Sequence, residues 1–266
     1  MPTQIDQFEK SHFSARTQEG HSISHDVYTR GQGPSVVIIQ ELPGIGQSTL
    51  RLADKLIDAN FKVVMPHLLG PIGKTQTGRN LLRVFCLRKE FSLFEKNKSS
   101  PIVDWLKALC RSIRNENATQ NPSGPHGVGV IGMCLTGNFA ISLMADDSVL
   151  AAVSSQPSMP FNDLSALHMS DADIAEIKTN IDNNEPIKVY RFEDDRMCKA
   201  SKFERLNKTF NEEKERLQFH TLPGKHHSVL TEDFVDQTGH PTHNALLEVI
   251  EYFGRSLRAK ACHKPP

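Results

Sequence analysis

Apolar residues come in short, unbroken runs bounded by polar and turn residues: 36–39 (VVII), 63–65 (VVM), 128–131 (VGVI), 150–153 (LAAV) and 187–190 (IKVY). Runs that are continuous rather than alternating and rich in β-branched residues predict strands of a parallel sheet, buried on both faces. Residues 217–221 (LQFHT) predict an edge-type strand, and the weak alternation of 22–28 (SISHDVY) predicts another edge strand. Between the runs the apolar spacing turns helical. Residues 48–59 carry Leu50, Ala53, Leu56 and Ile57 on one stripe. Ser100-Pro101 reads as an N-cap with proline at the first helical position, and Ile102, Trp105, Leu106, Leu109 and Ile113 follow on one face. Residues 137–145 (GNFAISLMA) are apolar nearly all round, which predicts a buried helix, and 243–257 predict a last amphipathic one. Strands alternating with helices predict an α/β fold with a mostly parallel central sheet and helices on both faces.

Composition narrows the picture. The 266 residues suit a single domain, 1–266, in which 1–20 can form an N-terminal extension. Lys plus Arg and Asp plus Glu both number 31, so there is no basic excess of the kind that marks nucleic-acid binders. The first ten residues, MPTQIDQFEK, have no apolar core of a signal peptide, and no apolar run is long enough for a membrane span. Cysteines 86, 110, 134, 198 and 262 are odd in number and scattered, which predicts free thiols and a cytoplasmic setting. Charge is uneven: residues 70–98 hold seven Lys/Arg against two Glu, and 163–195 hold nine Asp/Glu against three Lys/Arg. Solvated faces account for such runs most simply; the basic one could also cover a site that receives anions.

The residues that carry chemistry begin at 128–140, VGVIGMCLTGNFA. A strand, Gly132, Cys134 and then a buried helix is the context of a nucleophile elbow. The glycine two places before the nucleophile lets the chain turn sharply, and a sulfur at a helix N-terminus is favoured as thiolate. The second glycine usual in such elbows is replaced by Thr136, with Gly137 one place late. The competing reading of Cys134 is a small buried hydrophobe. Downstream, the run ending at Tyr190 leads into RFEDDR, 191–196, and the strand at 217–221 leads into LPGKHHS, 222–228. Acid and then histidine, each on a loop after a strand, is the order this chemistry needs, and the three acids and both histidines are open candidates.

GMCLTGN, FEDDRMC and PGKHHSV in that order, with VVIIQELPG at 36–44, resemble the dienelactone hydrolase family of α/β-hydrolases. The resemblance runs from about residue 20 to the C-terminus and implies the α/β-hydrolase fold. It implies Cys134 as nucleophile, Asp195 as orienting acid (from DRMC, 195–198) and His227 as base (from the following Ser228-Val229). It further implies Glu41 as the glutamate facing the cysteine, and the backbone N–H groups of Leu42 and Leu135 as the oxyanion hole. The implied reaction is hydrolysis of a small ester or lactone through a thioester. An arginine that binds the substrate carboxylate in dienelactone-cleaving members stands four places after the histidine; here that place is Thr231, and Arg83 and Arg88 are the candidates for an anion contact instead.

No cofactor or metal is expected, no membrane or nucleic-acid partner is implied, and the oligomeric state is open. ELPGIGQSTL, 41–50, opens a helix after a strand, but Gln47 and Thr49 stand where a P-loop lysine and the third Rossmann glycine belong. His67, ending the next strand, is no ribose-binding acid. The His-x-Glu of glutamine amidotransferases is missing at 226–228 and 240–242. His240-Pro241-Thr242-His243 reads as a helix start rather than a metal site. The alternative from another class is a non-catalytic chain that keeps this fold and binds a ligand or partner, a reading carried by Thr136 and Thr231.

Overall fold

The computed structural model describes residues 3–42, 44–70, 72–73, 100–122, 124, 126–158, 167 and 169–258. Arg83 and Arg88, with the basic stretch around them, lie outside the described residues, as do Cys86 and Cys262.

Eight strands among the described residues form one sheet in the order β1-β2-β4-β3-β5-β6-β7-β8. They are β1 (Glu9–Arg16), β2 (Ser22–Arg30), β3 (Ser35–Ile39), β4 (Lys62–His67), β5 (Val128–Met133), β6 (Val149–Ser155), β7 (Ile187–Phe192) and β8 (Leu217–Leu222). From β4 to β8 every neighbouring pair is parallel; β2 runs antiparallel to both β1 and β4. The helices are α1 (Gln47–Asp58), α2 (Pro101–Gln120), α3 (Leu135–Leu143), α4 (Asp171–Asp182), α5 (Ala200–Phe210) and α6 (Pro241–Arg258).

The pleat divides each buried strand between two cores. Val37, Ile39, Val128, Val130, Ile187 and Val189 join the apolar faces of α2, α3, α4 and α5. Their neighbours Val36, Ile38, Ile131, Met133, Tyr190 and Phe192 join α1 and α6 on the other side. This is why the strands read as continuous apolar runs: each alternate residue has a helix layer of its own to pack against. Every residue of α3 is buried, as its all-round apolar sequence predicts.

Two elements differ from expectation. Residues 22–28 do not form the sheet edge, because β1 pairs with β2 along its whole length and takes that place. β1 falls inside the stretch read as an N-terminal extension. Its sequence, EKSHFSAR, is mostly polar and exposed, so periodicity gave no sign of it. It is attached by its ladder, by Phe13 set edge-on to Trp105, and by the Lys10–Asp26 ion pair at 2.8 Å. Polar side chains on an outer strand also discourage pairing with a further chain. α4 lies in the acidic stretch; its start is a capping box in which Ser170 and Asp173 satisfy each other's backbone N–H groups.

Candidate active site

The site forms where β3, β5, β6, β7 and β8 end, the edge at which parallel sheets gather their loops. Cys134 stands between β5 and α3 with φ 58° and ψ −122°, a conformation that a non-glycine residue holds only under local constraint. The constraint is visible. Cys134 N–H donates to the Ser155 carbonyl at 3.1 Å, and its own carbonyl accepts from Gly137 at 3.1 Å and from Ser158 at 3.0 Å. A Cβ on Gly132 would stand 2.1 Å from the Thr136 carbonyl oxygen, so the turn closes only over glycine. Gly137 is also crowded: a Cβ there would meet Pro157 Cα at 3.0 Å.

Thr136, the residue out of pattern, is bonded into the turn. Its hydroxyl accepts from Met133 N–H at 2.9 Å and lies 2.9 Å from the Met133 carbonyl and 3.1 Å from the Ile39 carbonyl. One side chain thus ties the elbow to itself and to the end of β3. Thr136→Val, which keeps the shape and removes the hydroxyl, should lower unfolding free energy by about 1–3 kcal/mol, because buried backbone groups lose their partner. Urea denaturation reads this as a lower midpoint at unchanged slope; an unchanged midpoint would contradict the role given to the hydroxyl.

Of the acids after β7, Asp194 is exposed and Asp195 is buried. Asp195 Oδ1 accepts from the N–H groups of Met197 at 2.8 Å and Cys198 at 3.0 Å, and Oδ2 meets His227 Nδ1 at 2.7 Å. Burial pushes this carboxyl up, but the bonds from His227 and the two backbone N–H groups outweigh it and hold its pKa below the usual range. Of the two histidines, His226 is exposed and leans on Asp233 at 3.4 Å. His227 is fixed by its backbone: Asp233 Oδ2 accepts from the N–H of His227 at 3.0 Å and of Ser228 at 2.9 Å.

Burial lowers the His227 pKa, yet the bond to Asp195 and the adjacent Cys134 sulfur push it up to about 10. Nε2 of His227 is buried and has no hydrogen-bond partner, and the Cys134 sulfur is close enough to raise the His227 pKa. The structure therefore brings Cys134, His227 and Asp195 together from three separate loops.

Glu41, just past β3, is buried, and burial pushes its pKa up. Both its oxygens are engaged: the Thr231 hydroxyl bonds Oε1, and the Ser228 hydroxyl bonds Oε2 at 3.2 Å. Thr231 therefore stands where the arginine was looked for and holds a buried carboxyl. Its carbonyl in turn accepts from Arg51, whose guanidinium lies over the Phe234 ring. Leu42 follows Glu41 directly, and Leu135 is the first residue of α3, so its N–H belongs to the unsatisfied first turn of a helix. The remaining described thiols, Cys110 and Cys198, are buried without a disulfide, and burial pushes both up.

Sequence reasoning missed Ser158, whose Oγ lies 3.2 Å from Cys134 Sγ, and Asp233. Ser158 sits in a polar loop after β6 with no motif around it. A cleft of about 590 Å³ is lined by Asp194, Arg196, Lys225 and His226, the residues flanking Asp195 and His227. Among the described residues no cluster of side chains could hold a metal ion, and no helix is long and apolar enough to cross a membrane.

The model of the dienelactone hydrolase family matches residues 23–257. Among solved structures, a cold-adapted esterase from an Arctic intertidal metagenomic library is 13% identical, with 96% of this chain and 97% of that one covered at a TM-score of 0.61. A dienelactone hydrolase-like promiscuous phosphotriesterase from metagenomic libraries is 13% identical, covering 93% and 98% at 0.60. An esterase from Pyrococcus furiosus is 10% identical, covering 94% and 93% at 0.58. At such identities the likeness is one of fold. No curated protein matches by sequence.

Proposed function

The chain belongs to the dienelactone hydrolase family, and from that premise we propose that it hydrolyses carboxylic esters or lactones through a Cys134 thioester. The observation that carries the reading is the pairing of buried Asp195 with His227 at 2.7 Å, in a histidine whose pKa is also raised by a cysteine held at a strained elbow. A cysteine serving only as core has no need of φ 58° or of an oriented histidine.

In this mechanism Asp195 accepts the Nδ1 hydrogen, which leaves Nε2 to take the Cys134 proton. The thiolate attacks the carbonyl carbon, and the electron pair of the C=O moves to oxygen. The backbone N–H groups of Leu42 and Leu135 are the proposed donors to that oxyanion. Collapse expels the alkoxide, which takes the proton from His227 Nε2. His227 then removes a proton from water, whose oxygen displaces the sulfur and releases the acid. Glu41, whose pKa burial raises, anchors the histidine loop through Ser228 and Thr231. Arg83 and Arg88 are the proposed contacts for an anionic substrate group.

Aryl esters and lactones assayed at neutral pH, together with iodoacetamide mapping of the native thiols, test the reading. Turnover of some members of the panel is expected, with Cys134 labelled faster than buried Cys110 and Cys198. No turnover, with Cys134 labelled no faster than the other two, would leave a fold that binds rather than reacts.

A further inference from the structure

Ser158 has no part in the mechanism above, yet it touches the reacting atom. Its hydroxyl lies 3.2 Å from Cys134 Sγ, and the two residues are 1% and 4% exposed. Backbone bonds fix that approach. Ser158 N–H donates to the Cys134 carbonyl at 3.0 Å, while Cys134 N–H donates to the Ser155 carbonyl at 3.1 Å. Asn138 Nδ2, one turn into α3, donates to the Ser158 carbonyl at 3.2 Å. The loop after β6 is thus laced to the elbow on both sides of the sulfur, and the serine is held in place whatever the hydroxyl does.

The ionisable groups around the sulfur come from three loops. His227 approaches from the loop after β8, with Asp195 behind it, and Cys198 from the loop after β7. Glu41, after β3, interacts with His227 but spends both oxygens on Thr231 and Ser228. Cys198 is kept neutral by its own burial and by Asp195. Beside His227, then, a fixed neutral hydroxyl faces the sulfur on the β6 side.

We infer that Ser158 donates its hydroxyl hydrogen to the Cys134 sulfur as His227 takes the thiol proton, so that the thiolate is bonded and aimed as it forms. A hydroxyl bonded to an anion is stronger than one between neutral groups, so the bond favours thiolate over thiol. When the sulfur pair forms the C–S bond, the negative charge passes to the carbonyl oxygen and the serine loses its charged acceptor. The bond therefore acts on formation of the nucleophile rather than on the oxyanion.

The inference rests on Cys134 being the nucleophile, and the experiment separates the two. The rate of iodoacetamide alkylation at Cys134 is followed against pH, by mass spectrometry, in the wild type, Ser158→Ala and Glu41→Gln. Ser158→Ala should raise the midpoint of the profile by about 1 pH unit, an approximately tenfold loss of rate on the acid side. An unchanged midpoint in Ser158→Ala, in a wild type that hydrolyses esters, overturns the inference alone. A shift in Glu41→Gln without one in Ser158→Ala assigns the effect to the carboxyl and also overturns it. A wild-type Cys134 no more reactive than Cys198 overturns the inference together with the reading beneath it. Should Ser158→Ala fail to fold, Ser158→Gly, which also lacks the hydroxyl and adds no thiol, carries the same comparison.

Discussion

Cys134→Ala should reduce ester turnover by roughly 10⁴-fold or more, because it removes the sulfur on which the proposed acyl-enzyme forms. The substitution removes the sulfur and little else. Alanine fits the space, the backbone bonds of residue 134 to Ser155, Gly137 and Ser158 persist, and the elbow keeps its supports. A thermal melt close to that of the wild type would confirm that the loss is chemical rather than a loss of fold. Turnover equal to the wild type would place the reaction elsewhere in the molecule. The variant should also fail to accumulate acylated protein in a burst experiment with an activated aryl ester, since the thioester has no atom on which to form.

Asp195→Asn should lower kcat/KM by roughly 10³–10⁴-fold, by presenting the wrong face to His227. Asp195 Oδ1 is committed to the N–H groups of Met197 and Cys198. An asparagine that keeps those bonds must turn its NH₂ towards His227 Nδ1. That nitrogen then accepts instead of donating, the proton moves to Nε2, and Nε2 can no longer take one from the thiol. The pH profile moves too. Burial lowers the His227 pKa, and Asp195 and Cys134 together raise it to about 10. Removing the carboxylate removes part of the upward push, so the imidazolium loses its proton at a lower pH. The alkaline limb of kcat/KM, which reports the cysteine–histidine pair as a unit, should therefore shift towards neutrality. An alkaline limb that stays in place, with activity near the wild-type level, would remove Asp195 from the role proposed for it.

These expectations rest on features of unequal legibility. The two-sided core wrote itself into the apolar runs of β3 to β7, since a strand packed on both faces needs apolar residues at successive positions. β1 was invisible for the converse reason: one polar outer strand gains its place from a ladder to β2 and from Trp105, and neither leaves a period in the sequence. Gly132 announced the sharp turn, and the structure supplies the cause, a carbonyl oxygen where a side chain would stand. Thr136 looked like a flaw in that turn. Its hydroxyl bridges to Ile39, 97 positions earlier, so what the local pattern counted as a missing glycine is a cross-link between two strand ends.

The sequence by itself carried the strands from β3 to β8 and several of the helices between them, the glycine-and-cysteine elbow and the succession of cysteine, acid and histidine, because each depends on neighbours in the chain. Which of two adjacent acids meets which of two adjacent histidines was decided only by the tertiary structure. So were the capture of Glu41 by Thr231 and the approach of Ser158 to the sulfur. Those contacts join residues 32, 190 and 24 positions apart. They are set by how β3, β5, β6, β7 and β8 line up at one edge of the sheet. No spacing along the chain encodes that alignment; it follows from packing the two helix layers against the sheet, and the loops take their positions from it.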